Sequence, residues 1–204
     1  MFNITISIIF LTTVISLAGF RYGKVVDELI FWPPAINKQH QYYRFITCGL
    51  IHADYMHLIF NMVTLYFFGT IMESMYQREL GLPNYYYLAL YIGALIVSNI
   101  PTYLKHRNDY DYRSLGASGA VSAVLFAFIL MSPWQRIIVL VFPVPAIVYG
   151  AIFLVYSVYM SKRGGDHVNH DAHFYGALFG ILFTIAARPI VLDIFINEFK
   201  QPHF

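Results

Sequence analysis

Charge is scarce in this chain. Of 204 residues, 13 are Lys or Arg and 11 are Asp or Glu, 12% in all. Soluble domains usually carry about twice that fraction. The formal net charge of +2 is too small to argue for a nucleic-acid partner. Cysteine is scarcer still, with Cys48 alone. That excludes an internal disulfide and leaves the redox compartment open. The H-E-x-x-H pattern of zinc hydrolases is missing. Repeats and low-complexity tracts are missing too.

What the chain has in quantity is apolar residues, 58% of the total. They gather in stretches over about 4–20, 55–72, 85–104, 117–131, 144–160 and 171–187, with Lys and Arg almost all between them. Spanning a bilayer takes about 20 apolar residues, and shorter runs are tolerated. The pattern predicts an all-α membrane protein of six transmembrane helices, one domain over 1–204. Pro143 and Pro145 interrupt the run Ile137–Val144, which is expected to be extended loop. The fifth helix is then short, 146–160, and the others follow the stretches above. The first stretch lacks a basic flank, and Gly19-Phe20-Arg21-Tyr22 is not a small-x-small cleavage site. It reads as a retained helix. The long first loop, 21–51, mixes Trp32-Pro33-Pro34, Tyr42, Tyr43 and Phe45 with charges. That mixture suits the headgroup region, so the loop is expected to lie partly in the membrane.

Polar residues intrude on this pattern at selected places. His57 and Asn61 fall near the start of the second helix, Ser118 at the start of the fourth and His173 at the start of the sixth. Helices two, four and six begin on the same face of the membrane. All four groups therefore stand at one depth. Ser118 lies in RSLGASGAVSAVLFAF, where Gly116, Ala117, Gly119 and Ser122 can serve close helix packing. The same position suits a nucleophile, because a helix N-terminus offers free N–H groups to a developing oxyanion. The soluble-hydrolase elbow G-x-S-x-G is not met, since Ala120 holds its last position.

A histidine inside a membrane helix is costly and points to function. His173, Gly176, Ala177 and Gly180 share one helix face. Packing that face on the small residues around Ser118 would bring base and nucleophile together. Asp171 lies about 200° around the helix from His173, so no triad is assigned. His57 and Asn61, at i and i+4, could donate to an oxyanion or simply bond structurally. His167, His170 and His173 recur every three residues, but His167 and His170 read as solvated loop, and no metal site is expected.

Taken together these motifs resemble the rhomboid family of intramembrane serine proteases over about residues 40–190. Gly116-Ala117-Ser118-Gly119 resembles its G-x-S-G motif, and Ala172-His173-Phe174-Tyr175-Gly176 its A-H-x-x-G motif. His57-x-x-x-Asn61 resembles its oxyanion pair. His52 falls where the family carries a structural histidine, and Tyr43-Arg44 resembles its W-R pair. The resemblance implies a six-helix core and a Ser–His dyad in a cavity below the membrane surface. Ser118 would be the nucleophile and His173 the general base and acid. His57, Asn61 and the Ser118 N–H would stabilise the oxyanion. The substrates would be transmembrane segments of other proteins, entering beside the fifth helix, with no cofactor or metal. The oligomeric state is left open.

Two departures stand out. Family members often carry an aromatic residue four positions after the serine, stacked on the histidine; here it is Ser122, with Phe126 or Tyr175 as candidates to replace it. The second departure is charge. Arg21, Lys24, Lys38, Arg44, Lys105, Arg107, Arg113, Lys162 and Arg163 lie on the face of the site. Only Arg78, Arg136, Arg188 and Lys200 lie opposite. The positive-inside rule would turn the site to the cytoplasm. Family orientation in the bacterial inner membrane would turn it outward, and that is the expectation adopted. The competing readings are a catalytically silent relative that binds membrane segments and a small transporter. A transporter would spread its polar groups across the membrane depth.

Overall fold

The computed structural model describes residues 3–139, 141–165 and 168–202. It is a helical bundle. Helix α1 (Ile4–Arg21) is followed by three short helices, α2 (Gly23–Leu29), α3 (Pro33–Gln39) and α4 (Arg44–Thr47). Helix α5 (Tyr55–Thr64) passes through a π-helical turn, Leu65–Gly69, into α6 (Thr70–Arg78). Then come α7 (Asn84–His106) and α8 (Ser118–Met131). A hairpin of β1 (Arg136–Val139) and β2 (Phe142–Pro145) leads to α9 (Ala146–Arg163), α10 (His170–Ala187) and α11 (Val191–Phe199).

Among the described residues, three helical runs are long and apolar enough to cross a membrane: Ile4–Arg21, Tyr55–Arg78 and Asn84–His106. A fourth results if α10 and α11, bent by 116° at Pro189, are taken as one. Helix α8 has only 14 residues. It is the centre of the bundle, and every residue from Gly119 to Met131 is buried. Helix α10 packs most extensively on α8 and then on α7. The approach is close because α10 presents glycine. A β-carbon on Gly176 would run into the Gly119 carbonyl, and one on Gly180 into the Ala123 carbonyl. The helices outside α8 turn apolar side chains outward, as with Phe10 on α1, Phe60 on α5 and Val155 on α9. A lipid-facing surface looks like this.

Polar contacts fix the bundle where lipid cannot. Glu73 on α6 is buried and accepts the N–H groups of Ile4 and Thr5 at 2.8 and 2.9 Å, and the Thr5 hydroxyl at 2.8 Å. Its carboxyl oxygens sit at the N-terminal end of α1, where orphan N–H groups need acceptors. The first loop carries a small core of its own, with Phe31, Ile36 and Cys48 against Phe45, Tyr103 and Tyr112. Arg44 closes it, donating to the carbonyls of Asp27 and Ile30.

Four expectations need correction. The segment 132–145 contains an antiparallel hairpin, with Arg136 opposite Pro145 and Ile138 opposite Pro143. The prolines stand two apart, so their missing N–H groups fall on one open edge, where proline is tolerated. The fifth helix is not short: α9 has 18 residues and ends at Arg163. The second helix continues past residue 72 to Arg78 through its π turn. The sixth is followed by a further helix, α11, beyond the six expected.

Candidate active site

The hydroxyl of Ser118 lies 2.8 Å from Nε2 of His173. Each residue is held by its own element. Ser118 is the first residue of α8, and Val121 is the first residue of that turn whose N–H bonds back to the helix start, at the Ala117 carbonyl. The N–H groups before it have no intrahelical acceptor. The segment leading to Ser118 is tied down residue by residue. Ser114 pairs with Phe31 through both backbone bonds, at 3.0 and 3.1 Å. The Gly116 N–H donates to the Cys48 carbonyl at 2.9 Å. The Ala117 N–H points to Nε2 of His52 at 3.4 Å. The first loop thus clamps the nucleophile segment from one side. Gly116 has φ +118°, and a β-carbon there would collide with the His57 ring. Glycine is needed for both reasons.

His173 stands in the first turn of α10. Asn169 caps that helix, accepting the Ala172 N–H at 3.1 Å and the Thr102 hydroxyl at 3.0 Å. The cap therefore fixes the start of α10 against α7. The carboxylate of Asp171 is engaged elsewhere, by the Ser161 hydroxyl and, at 3.9 Å, by Lys105. Among the described residues no group of three or more His, Cys, Asp or Glu side chains could hold a metal; His167 lies outside them.

His57 and Asn61 face the same space. Asp54 caps α5 by accepting the His57 N–H at 2.8 Å. The His57 ring nitrogen Nδ1 accepts from the Ala53 N–H at 3.4 Å. A neutral imidazole that accepts at Nδ1 carries its proton on Nε2. The Asn61 amide donates one N–H to the His57 carbonyl at 2.9 Å, which leaves its second N–H. Ser118, His173, His57 and Asn61 together line a cavity of about 590 Å³, with Asp54 and Arg113 also on its wall. All four residues singled out from the sequence are thus brought to one cavity.

His52 links this site to the rest of the bundle. Its Nδ1 lies 3.0 Å from the Ser16 hydroxyl, which donates to the Leu50 carbonyl at 2.9 Å. The chain of bonds is consistent only with a neutral ring that donates at Nδ1 and accepts at Nε2. Burial, and then the neighbouring His57, push the His52 ring down to about 3, so it stays neutral.

The aromatic partner of His173 comes from an unexpected helix. Phe153 on α9 stacks on the imidazole, with ring centroids 5.7 Å apart and planes inclined by 29°. Neither expected substitute makes this contact. Phe126 packs on Phe153 instead, at 5.8 Å, and Tyr175 packs edge-on against Phe174. A sequence signal for Phe153 existed. Ala146, Gly150, Phe153 and Ser157 fall on one helical face, and Phe153 is its one large ring.

A sequence profile described as the Rhomboid domain matches residues 39–190. The chain belongs to the rhomboid family. The protein YdcA of Bacillus subtilis is 29% identical over 144 residues, covering 71% of this chain and 66% of that protein. Rhomboid protein 1, mitochondrial, of Saccharomyces cerevisiae is 34% identical over 139 residues, 65% of this chain and 38% of the yeast protein. The presenilin-associated rhomboid-like protein, mitochondrial, of Rattus norvegicus is 31% identical over 145 residues, 69% and 37% of the two chains. The match thus spans about two thirds of the Bacillus protein and well under half of the mitochondrial ones. A rhomboid with this set of apolar helices is an integral membrane protein.

Proposed function

We propose that this rhomboid is a serine endopeptidase that cleaves transmembrane segments of other membrane proteins. The observation that carries the reading is the 2.8 Å contact between Ser118 and His173 at the wall of a cavity. That is the reach a base needs to take a proton from a nucleophile. In this reading the Ser118 hydroxyl attacks the carbonyl carbon of the scissile peptide as its proton passes to His173 Nε2. The carbonyl oxygen becomes an oxyanion. The Ser118 N–H, the Nε2–H of His57 and the second N–H of Asn61 receive it. Collapse breaks the C–N bond, and His173 returns the proton to the leaving amine. Water then attacks the acyl-enzyme with His173 again as base, which frees Ser118.

Depth makes this chemistry workable inside a membrane. Helix α8, with 14 residues, is about 21 Å long, against a hydrocarbon core of about 30 Å. A helix that short, starting below the surface, sets Ser118 where a transmembrane segment can unwind and water can enter through the cavity. The same proposal takes residues 1–204 as one domain of six spans, with α8 and α9 among them. It places the first loop partly in the headgroup region and brings substrate in from the lipid beside α9. The membrane is the inner membrane of a bacterium, with the site facing outward. Two of the relatives above are mitochondrial by name; cell fractionation should find this protein in the bacterial inner membrane, and recovery in any other membrane would overturn that placement.

The test is a cleavage assay with purified protein in detergent and labelled transmembrane peptides. The reading expects cleavage by the wild type and none by Ser118→Ala or His173→Ala. Cleavage that survives both substitutions would sink the dyad. A folded wild type that binds the peptides and never cuts them would favour the silent alternative.

A further inference from the structure

For proton transfer the imidazole of His173 must keep both its distance to Ser118 and the plane of its ring. A catalytic group stays in register when packing locks its rotamer. Among the described contacts, two rings surround the imidazole. Phe153 stacks on its face at 5.7 Å and 29°, and His170 meets it edge-on at 5.6 Å and 83°. His170, expected in a solvated loop, is instead buried in the first turn of α10 and travels with His173. Phe153 does not: it belongs to α9.

The sequence leaves this task to α9. At the position one turn after the nucleophile, Ser122 is buried and carries no ring. Helix α9 is shaped to supply one. Its inner stripe begins with Ala146 and Gly150, both buried. Gly150 lies against Ile129 and Phe126 of α8, where a β-carbon would meet Ile129 Cδ1 at 2.8 Å. Small residues there let α9 approach, and three residues on Phe153 reaches the imidazole. Phe153 is itself held by Tyr149, at 6.0 Å, and by Phe126.

We propose that Phe153 is the positioning residue for His173, so that alignment of the Ser118–His173 pair depends on where α9 sits. This rests on the proposed function, which also places α9 beside the substrate entrance. A shift of α9 would carry the ring off the imidazole and loosen the pair. Substrate entry and readiness of the dyad are then one structural event.

Two variants separate ring from bulk. Phe153→Leu keeps an apolar side chain without a ring face, and Phe153→Tyr keeps the ring. The readouts are the rate of fluorophosphonate labelling at Ser118, kcat and KM on a transmembrane peptide, and the NMR signals of the His173 imidazole. Phe153→Leu is expected to lower the labelling rate and kcat by about ten- to a hundredfold with KM little changed. Its melting temperature should stay near that of the wild type, and the His173 ring protons should move downfield as the stacked ring is lost. Phe153→Tyr should restore rate and shift. Phe10→Leu, on the exposed side of α1, should change neither. Wild-type rates in Phe153→Leu, or equal losses in Phe153→Leu and Phe153→Tyr, would overturn the positioning role while leaving the dyad intact. A wild type that takes no label overturns the dyad reading and this role with it.

Discussion

Gly176 of α10 and the carbonyl of Gly119 on α8 lie so close that no β-carbon fits between them. Gly119 follows Ser118 directly, and Gly176 stands one turn beyond His173. The spacing of the two helices at this point therefore sets the reach of the dyad. Gly176→Ala is expected to push α10 outward, destabilise the fold by about 1–3 kcal/mol and cut turnover at least tenfold. Thermal melting in detergent and peptide cleavage read the two effects. A variant with wild-type melting and turnover would mean that helix spacing does not govern the pair.

Asn61 already spends one N–H on the His57 carbonyl, so its role in an oxyanion site rests on the other. Asn61→Ala should depress kcat by about 10²-fold or less while the protein melts as before. Unchanged turnover in a folded variant would remove Asn61 from the oxyanion assignment.

His52 gives the fold a pH dependence of known sign. The ring titrates near 6.5 in the unfolded chain and at about 3 in the fold. Between those values the unfolded chain holds a proton that the folded chain refuses. Stability therefore falls as pH drops from about 6.5 toward 3, by up to about 1.4 kcal/mol per unit from this group. His52→Gln removes the titration. The stability gap between wild type and His52→Gln should be widest at pH 7 and narrow steadily toward pH 4. A gap that is constant with pH would show that His52 does not carry the linkage.

Much of the site was legible because it rests on local spacing. His57 and Asn61 lie one helical turn apart, and His173, Gly176 and Gly180 share a face, as fixed periods require. The cost of polar groups in a membrane helix drew attention to the right residues. What escaped depends on geometry between elements. Phe153 lies 20 residues before His173 in the sequence, and no period links them. The hairpin was hidden by prolines that usually exclude strand, until an open edge accommodates them. The end of the sixth apolar stretch at 187 was legible, but α11 beyond it was not, because it is only nine residues long and its polar residues Asp193, Asn197 and Glu198 interrupt the apolar run.

Orientation is the point on which charge and family disagree. Cys48 is 2% exposed, and burial pushes its thiol up to about 12, so it should not react with maleimides in the folded protein. New cysteines can then be read alone. Asp111→Cys lies on the face of the site and Glu79→Cys on the opposite face, both exposed. The outward orientation predicts that an impermeant maleimide labels position 111 and not 79 in intact cells. The reverse pattern would support the positive-inside count and turn the site to the cytoplasm.

The most direct test is covalent. Purified protein in detergent is treated with a fluorophosphonate, and the modified residue is located by mass spectrometry. A hydroxyl activated by His173 should take the label at Ser118. Labelling should vanish in Ser118→Ala, fall to background in His173→Ala and persist in Ser122→Ala. Label on another serine, or undiminished labelling in His173→Ala, would contradict the account.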